Sequence, residues 1–101
     1  MADIKSVLAD REMTHGPFAP KSVFIQDTKA DFRDMPLWHE LHADQQEALD
    51  MIVTKIGRIL TGDANTTDHW TDLAGYSQLV VDRLDRDRLT LELPLGAEKT
   101  A

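Results

Sequence analysis

The sequence has no cysteine, and that absence excludes disulfide staples and thiolate metal sites. It lacks any uncharged apolar stretch near the ~20 residues needed to cross a bilayer. Its start, Met-Ala-Asp-Ile-Lys, lacks the basic and apolar regions of a signal peptide, so the expected address is cytoplasmic with no membrane partner. It also lacks a basic excess. The net charge is -7, and the surplus is uneven: residues 1–33 hold five Lys/Arg and five Asp/Glu, while 34–101 hold six and thirteen. An acidic surface is repelled by nucleic-acid backbones, which bind through cationic contacts and counterion release. Nucleic acid is therefore not the expected partner, whereas a local basic pocket is enough to hold one or two phosphates of a small nucleotide. No internal repeat is visible, and 101 residues suit one small domain with one modest core.

What is present is helical patterning. Ile4, Val7 and Leu8 fall at helical spacing behind Asp3, a good N-cap, which predicts a short helix over 3–12. Thr14-His15-Gly16-Pro17-Phe18-Ala19-Pro20 reads as a loop with Phe18 as its apolar anchor. Ser22 is the expected cap of a second helix to about Met35, with Phe24, Ile25, Thr28, Phe32 and Met35 near one face, and Pro36 blocks its continuation. Leu37, Trp38 and Leu41 are expected to turn over the core.

The strongest pattern runs from Ala43 to Thr61, where Ala48, Leu49, Ile52, Ile56, Ile59 and Leu60 recur at i, i+3, i+4 and Gly62 suits the position after the helix. Asn65, Thr66 or Thr67 can cap the next helix, whose stripe is Trp70, Leu73, Ser77, Val80, Val81 and Leu84. The short connection makes these two helices an antiparallel hairpin. The fold class is all-α: a small helical bundle around a hairpin of about 43–61 and 66–86, in one domain spanning 1–96. Leu89, Leu91, Leu93 and Leu95 alternate, which predicts a short C-terminal edge strand beside Pro94, suited to pairing with a second copy. Residues 97–101 read as a disordered tail, and a chain this short is expected to form a homo-oligomer.

The charged residues beside the stripes carry the chemistry. At about 100° per residue, with Ile52 as centre, Lys55 lies at about −60° and Arg58 at about −120°. With Leu73 as centre, Tyr76 lies at about −60°, Asp72 at about −100° and Asp68 at about −140°. In an antiparallel pair these flanks converge on one edge. A turn near residue 63 or 64 puts Lys55 level with Asp72 and Arg58 level with residue 69, so Lys55 is expected to meet Asp72 and Arg58 to meet Asp68. One reading is a salt-bridge network that fixes the register. The other is a ligand groove in which Lys55 and Arg58, held by the aspartates, receive phosphate oxygens while Tyr76 offers a hydroxyl or a stacking face.

A metal reading uses Glu47, Asp50, Asp68 and Asp72 as hard oxygen ligands for Mg²⁺, although Lys55 occupies the level such a metal needs. His15, His39, His42 and His69 offer no H-x-x-x-H pair. Trp38 and Trp70 read as core.

Leu8-Ala9-Asp10-Arg11, Thr14-His15-Gly16-Pro17-Phe18, the segment Gln46–Ile52 with Lys55-Ile56 and Arg58-Ile59-Leu60, and Asp68-His69-Trp70-Thr71-Asp72-Leu73-Ala74-Gly75-Tyr76 together resemble a family of small helical domains encoded mainly by tailed phages and prophages. Lys55-x-x-Arg58 followed by Asp68, Asp72 and Tyr76 is similar to a phage domain associated with nucleotide modification. Glu47/Asp50 and Asp72 also resemble the carboxylate pattern of the MazG-type all-α nucleotide pyrophosphohydrolases, with His69 standing where that pattern has a carboxylate. The resemblance implies a phage-encoded module for a nucleotide or nucleotide-derived phosphate, in nucleotide metabolism or in sequestering a host-defence nucleotide signal. Its ligand set would be Lys55, Arg58, Asp68, Asp72 and Tyr76, with Arg11 and His15 nearby and no cofactor. The alternatives are a Mg²⁺-dependent nucleotide pyrophosphohydrolase using Glu47, Asp50, Asp68 and Asp72, and a structural or protein-binding oligomer without ligand.

Overall fold

The computed structural model describes residues 3–92. Asp3 accepts a hydrogen bond from the Ser6 amide at 2.8 Å and so satisfies a free N–H at the start of α1 (Ile4–His15). The helix runs to His15 rather than to residue 12, and the whole break to the next helix is Gly16-Pro17. Gly16 takes φ +83 and donates its amide to Glu12 O at 2.8 Å, which closes the last turn. α2 (Phe18–Asp34) then starts at once, with Pro20 in its first turn, where a missing N–H costs nothing. The loop expected over 14–20 is therefore mostly helix, and Ser22, expected as a cap, lies inside α2 with its hydroxyl donating to Phe18 O at 2.7 Å.

Pro36 stops α2 as expected, and a 3₁₀ turn at Trp38–Glu40 folds Trp38 inward. Its ring is buried, stacked on Phe32 at 5.7 Å between centroids, and covered by the Arg33 guanidinium at 4.7 Å. Arg33 continues to a bidentate pair with Asp50, at 3.2 and 2.8 Å, tying α2 to α3 (Ala43–Thr61). At the start of α3 the Gln45 side chain accepts from the His42 amide at 2.9 Å.

α3 is the central helix. One side packs on α2 at the buried Gly57, and Val53, one turn earlier, is only 2% exposed. Gly57 allows the close approach, since a Cβ there would lie 3.0 Å from Ile25 Cδ1 and 3.3 Å from Lys21 Cγ. The other side of α3 packs along α4 (Thr67–Glu92). The architecture is all-α, with four helices and no strand among the described residues. The strand expected from Leu89 onward is instead the end of α4. Arg83 bonds Asp87 one turn ahead and Arg88 bonds Asp85, and such i, i+3 and i, i+4 pairs favour continued helix. The strand's remaining residues, 93–95, and the tail at 97–101 lie outside the described residues.

Trp70 is not core. It is 53% exposed, with its indole N–H donating to Ala64 O at 2.7 Å, so it closes the α3–α4 loop from outside. Among the described residues no helix is long and apolar enough to cross a membrane.

Candidate functional site

The expected edge of the hairpin forms in part. Lys55 Nζ lies 2.8 Å from Asp72 Oδ2. Lys55 is buried, and the lysine hydrogen bond is the main force holding the Asp72 carboxyl below its usual range, with the Lys55, Arg58 and His69 charges adding to it and partial burial opposing it. Arg58 does not meet Asp68. Asp68 is exposed and makes no ion pair among the described residues. The side chain that α4 presents at that level is His69, 2% exposed, whose Nε2 donates to Thr14 O at 2.8 Å. Tyr76 lies one turn beyond Asp72, and the two line a separate depression of about 480 Å³ with Gly75 and Leu79. The four expected carboxylate ligands are divided: Asp72 is held by Lys55 and Asp50 by Arg33. Among the described residues no three His, Asp or Glu gather as a metal site.

The N-terminal elbow packs against the end of α3. Thr14 O also accepts from the Asp63 amide at 3.1 Å. Gly16 and Gly62 make this approach fit. A Cβ on Gly16 would lie 2.6 Å from the Thr61 carbonyl carbon, and one on Gly62 would lie 2.7 Å from that of His15. The His15 and His69 rings meet edge to face at 5.0 Å, and His15 Nδ1 shares a hydrogen bond of 2.6 Å with the Thr14 hydroxyl.

Between this elbow, α1, α2 and the last turns of α3 opens a cleft of about 760 Å³, within the size range of small-molecule sites. Its polar lining is Arg11, Glu12, His15, Lys21 and Arg58, and its apolar lining is Leu8 and Phe18. Of the expected ligand residues, Arg58, Arg11 and His15 come together here; Lys55 is close enough for its charge to act on His15. Asp68, Asp72 and Tyr76 do not line the cleft.

The charge balance of the cleft is one-sided. Arg11, Lys21 and Arg58 make no ion pair among the described residues. Arg58 Nε is fully enclosed with no hydrogen-bond partner. Lys21 is 9% exposed, and burial, then the Arg58 charge, push its amine below the usual lysine range. Burial first, then Arg58, His69, Lys21 and Lys55, hold the His15 imidazole below 6.5. The lining thus sets Arg11, Lys21 and Arg58 against one carboxylate, Glu12.

Lys21 and Phe18 are the residues that sequence reasoning missed. The available signal was Gly57, a glycine inside a helix of strong formers, which marks a close approach by another element. Comparison of the chain with family models, with curated proteins and with solved structures finds no match.

Proposed function

We propose that this chain is a small phage-encoded module that binds a nucleotide or nucleotide-derived phosphate in the cytoplasm of the host cell, in the cleft between α1, α2 and the end of α3. The observation that carries the reading is the cationic lining of the cleft, in which Arg11, Arg58 and the buried Lys21 make no ion pair among the described residues. A phosphate in the cleft meets the Arg58 and Arg11 guanidinium groups that line it, and guanidinium is the group best matched to phosphate geometry. Phe18, largely exposed at the mouth, supplies a flat apolar surface for a base. Lys55 and Asp72 take a supporting role: as a closed pair they fix the α3–α4 seam behind Arg58.

The test is a thermal-shift panel of inorganic phosphate and mono-, di-, tri- and cyclic nucleotides, each with Mg²⁺ and with EDTA, because a ligand of the native state raises Tm by mass action. The expected result is a shift retained in EDTA, absent in Arg58→Ala, with the nucleotide recovered intact. Absence of a shift across the panel would sink the reading. A shift that needs Mg²⁺ and yields product would make the chain a hydrolase.

Self-association is a second property the hairpin favours. Leu49, Val81 and Leu84 are exposed, and α3 and α4 form an apolar groove of about 320 Å³ lined by Leu41, Ala48, Leu49, Ile52 and Val80. A second copy covering this face would complete a four-helix layer. Sedimentation at the monomer mass at micromolar concentration would remove this part.

A further inference from the structure

Among the described residues two lysines are buried, Lys21 and Lys55, and they are treated oppositely. Lys55 has Asp72 at 2.8 Å, so its ammonium is compensated. Lys21, on the first turns of α2, is buried to a similar degree but among the described residues has neither a carboxylate within ion-pair distance nor a hydrogen-bond partner at Nζ. Its stem lies against Gly57, its Nζ is 6.0 Å from the Phe18 ring centroid, and its Nζ is not among the fully enclosed unpartnered atoms. The amine therefore opens on the cleft that it lines.

The groups around it are mostly cationic. α3 contributes Arg58, the elbow His15, and α1 Arg11 and Glu12; Glu12 is the sole carboxylate of this lining. A desolvated amine next to another cation loses its proton more readily than a solvated one, and a neutral amine is a nucleophile. The direction of the shift at Lys21, downward from burial and Arg58, agrees with that environment.

We propose that Lys21 is a nucleophilic amine of the cleft, forming an imine with a small aldehyde or ketone that carries a phosphate. The inference rests on the phosphate-binding reading above, since Arg58 and Arg11 are the groups that would anchor the phosphate and so hold the carbonyl carbon beside Nζ. The Lys21 lone pair adds to that carbon while the C=O electron pair moves to oxygen. A proton passes from nitrogen to oxygen to give a carbinolamine. The nitrogen lone pair then forms C=N as the C–O bond breaks, and the remaining N–H proton passes to the departing hydroxide, which leaves as water. One amine and one carbonyl give one imine and one water, and no oxidant or reductant takes part.

The test uses pyridoxal phosphate as a phosphate-bearing aldehyde, cyanoborohydride to trap the imine, and peptide mapping to locate it at neutral pH on the intact chain. Lys21 is expected to be labelled severalfold faster than Lys5, Lys29 or Lys55. Inorganic phosphate should slow that labelling, and pyridoxal without phosphate should lose the preference. Labelling of Lys5 and Lys29 as fast as Lys21 would overturn the proposal, whether or not phosphate raises Tm. Preferential Lys21 labelling that phosphate does not slow would keep the nucleophile and overturn the phosphate anchor. Because the comparison is among lysines of the native protein, it does not depend on a variant that folds.

Discussion

Lys55 bonds Asp72 at 2.8 Å near the loop end of the α3–α4 seam, and Arg83 bonds Asp44 at 2.8 Å near the other end; in both pairs the residue numbers add to 127. The two helices therefore hold one antiparallel register along their shared length, with residue i of α3 opposite 127 − i of α4. The pair at Lys55 is also the more consequential to break, because the lysine is buried while its partner is half exposed.

Removing the partner of a buried charge is costly, whereas replacing the charge by an apolar side chain of similar length is close to neutral. Asp72→Asn should lower Tm clearly, Lys55→Met should stay within about 1 kcal/mol of wild type, and the double variant should recover most of the Asp72→Asn loss. Chemical denaturation of the four proteins gives the coupling. Strictly additive changes would show that the pair does not fix the seam.

Arg58 poses the opposite case, a charge with no ion-pair partner among the described residues. An enclosed unsatisfied N–H costs about 1–3 kcal/mol, while a cation in the last turn of a helix gains about 0.3–1 kcal/mol from the helix dipole. Arg58→Met should therefore leave the ligand-free protein as stable as wild type or up to about 2 kcal/mol more stable. The same change should weaken phosphate binding by about 10- to 100-fold, the worth of one charge-assisted hydrogen bond at roughly 1.5–3 kcal/mol. Melting curves without ligand and calorimetric titration with phosphate check both halves. A variant that loses stability but keeps its affinity would make Arg58 a structural residue.

The hairpin was legible because its signals are local. Ala48, Leu49, Ile52, Ile56 and Ile59 recur at helical spacing, and the short loop after Gly62 leaves one arrangement for the next helix. The same counting put Lys55 opposite Asp72. It placed Arg58 level with 69 but then chose the neighbouring Asp68 on charge, whereas the inward side chain is His69, held by Thr14 O on a different part of the chain. The alternation of Leu89, Leu91, Leu93 and Leu95 misled at its described start, Leu89 and Leu91, because the Asp/Arg pairs before them favour continued helix. The cleft was the least legible part. It is made by α1 and α2 folding back on α3 through Gly16, Gly57 and Gly62, and contacts between such distant segments leave no periodicity in the sequence.

The last consequence concerns pH, and it turns on His15. Its imidazole faces Lys21 from α2, Lys55 and Arg58 from α3 and His69 from α4, with Thr14 beside it in the elbow. Burial and these charges hold its pKa in the folded protein below 6.5. The unfolded chain then binds the proton more readily than the folded one, so the contribution of His15 to stability is complete above the unfolded value of about 6.5 and is lost as pH falls through the lower folded value. Wild-type Tm should fall across that window, and the fall should be smaller in His15→Gln. An anion in the cleft reverses the balance by favouring the imidazolium, so binding takes up a proton and tightens as pH falls. Sulfate is the probe of choice because its charge does not change in this range, so any gain in its affinity between neutral and mildly acidic pH belongs to the protein. That gain should be reduced in His15→Gln, whereas a sulfate affinity that is flat with pH, or rises equally in the variant, would place His15 outside the anion site.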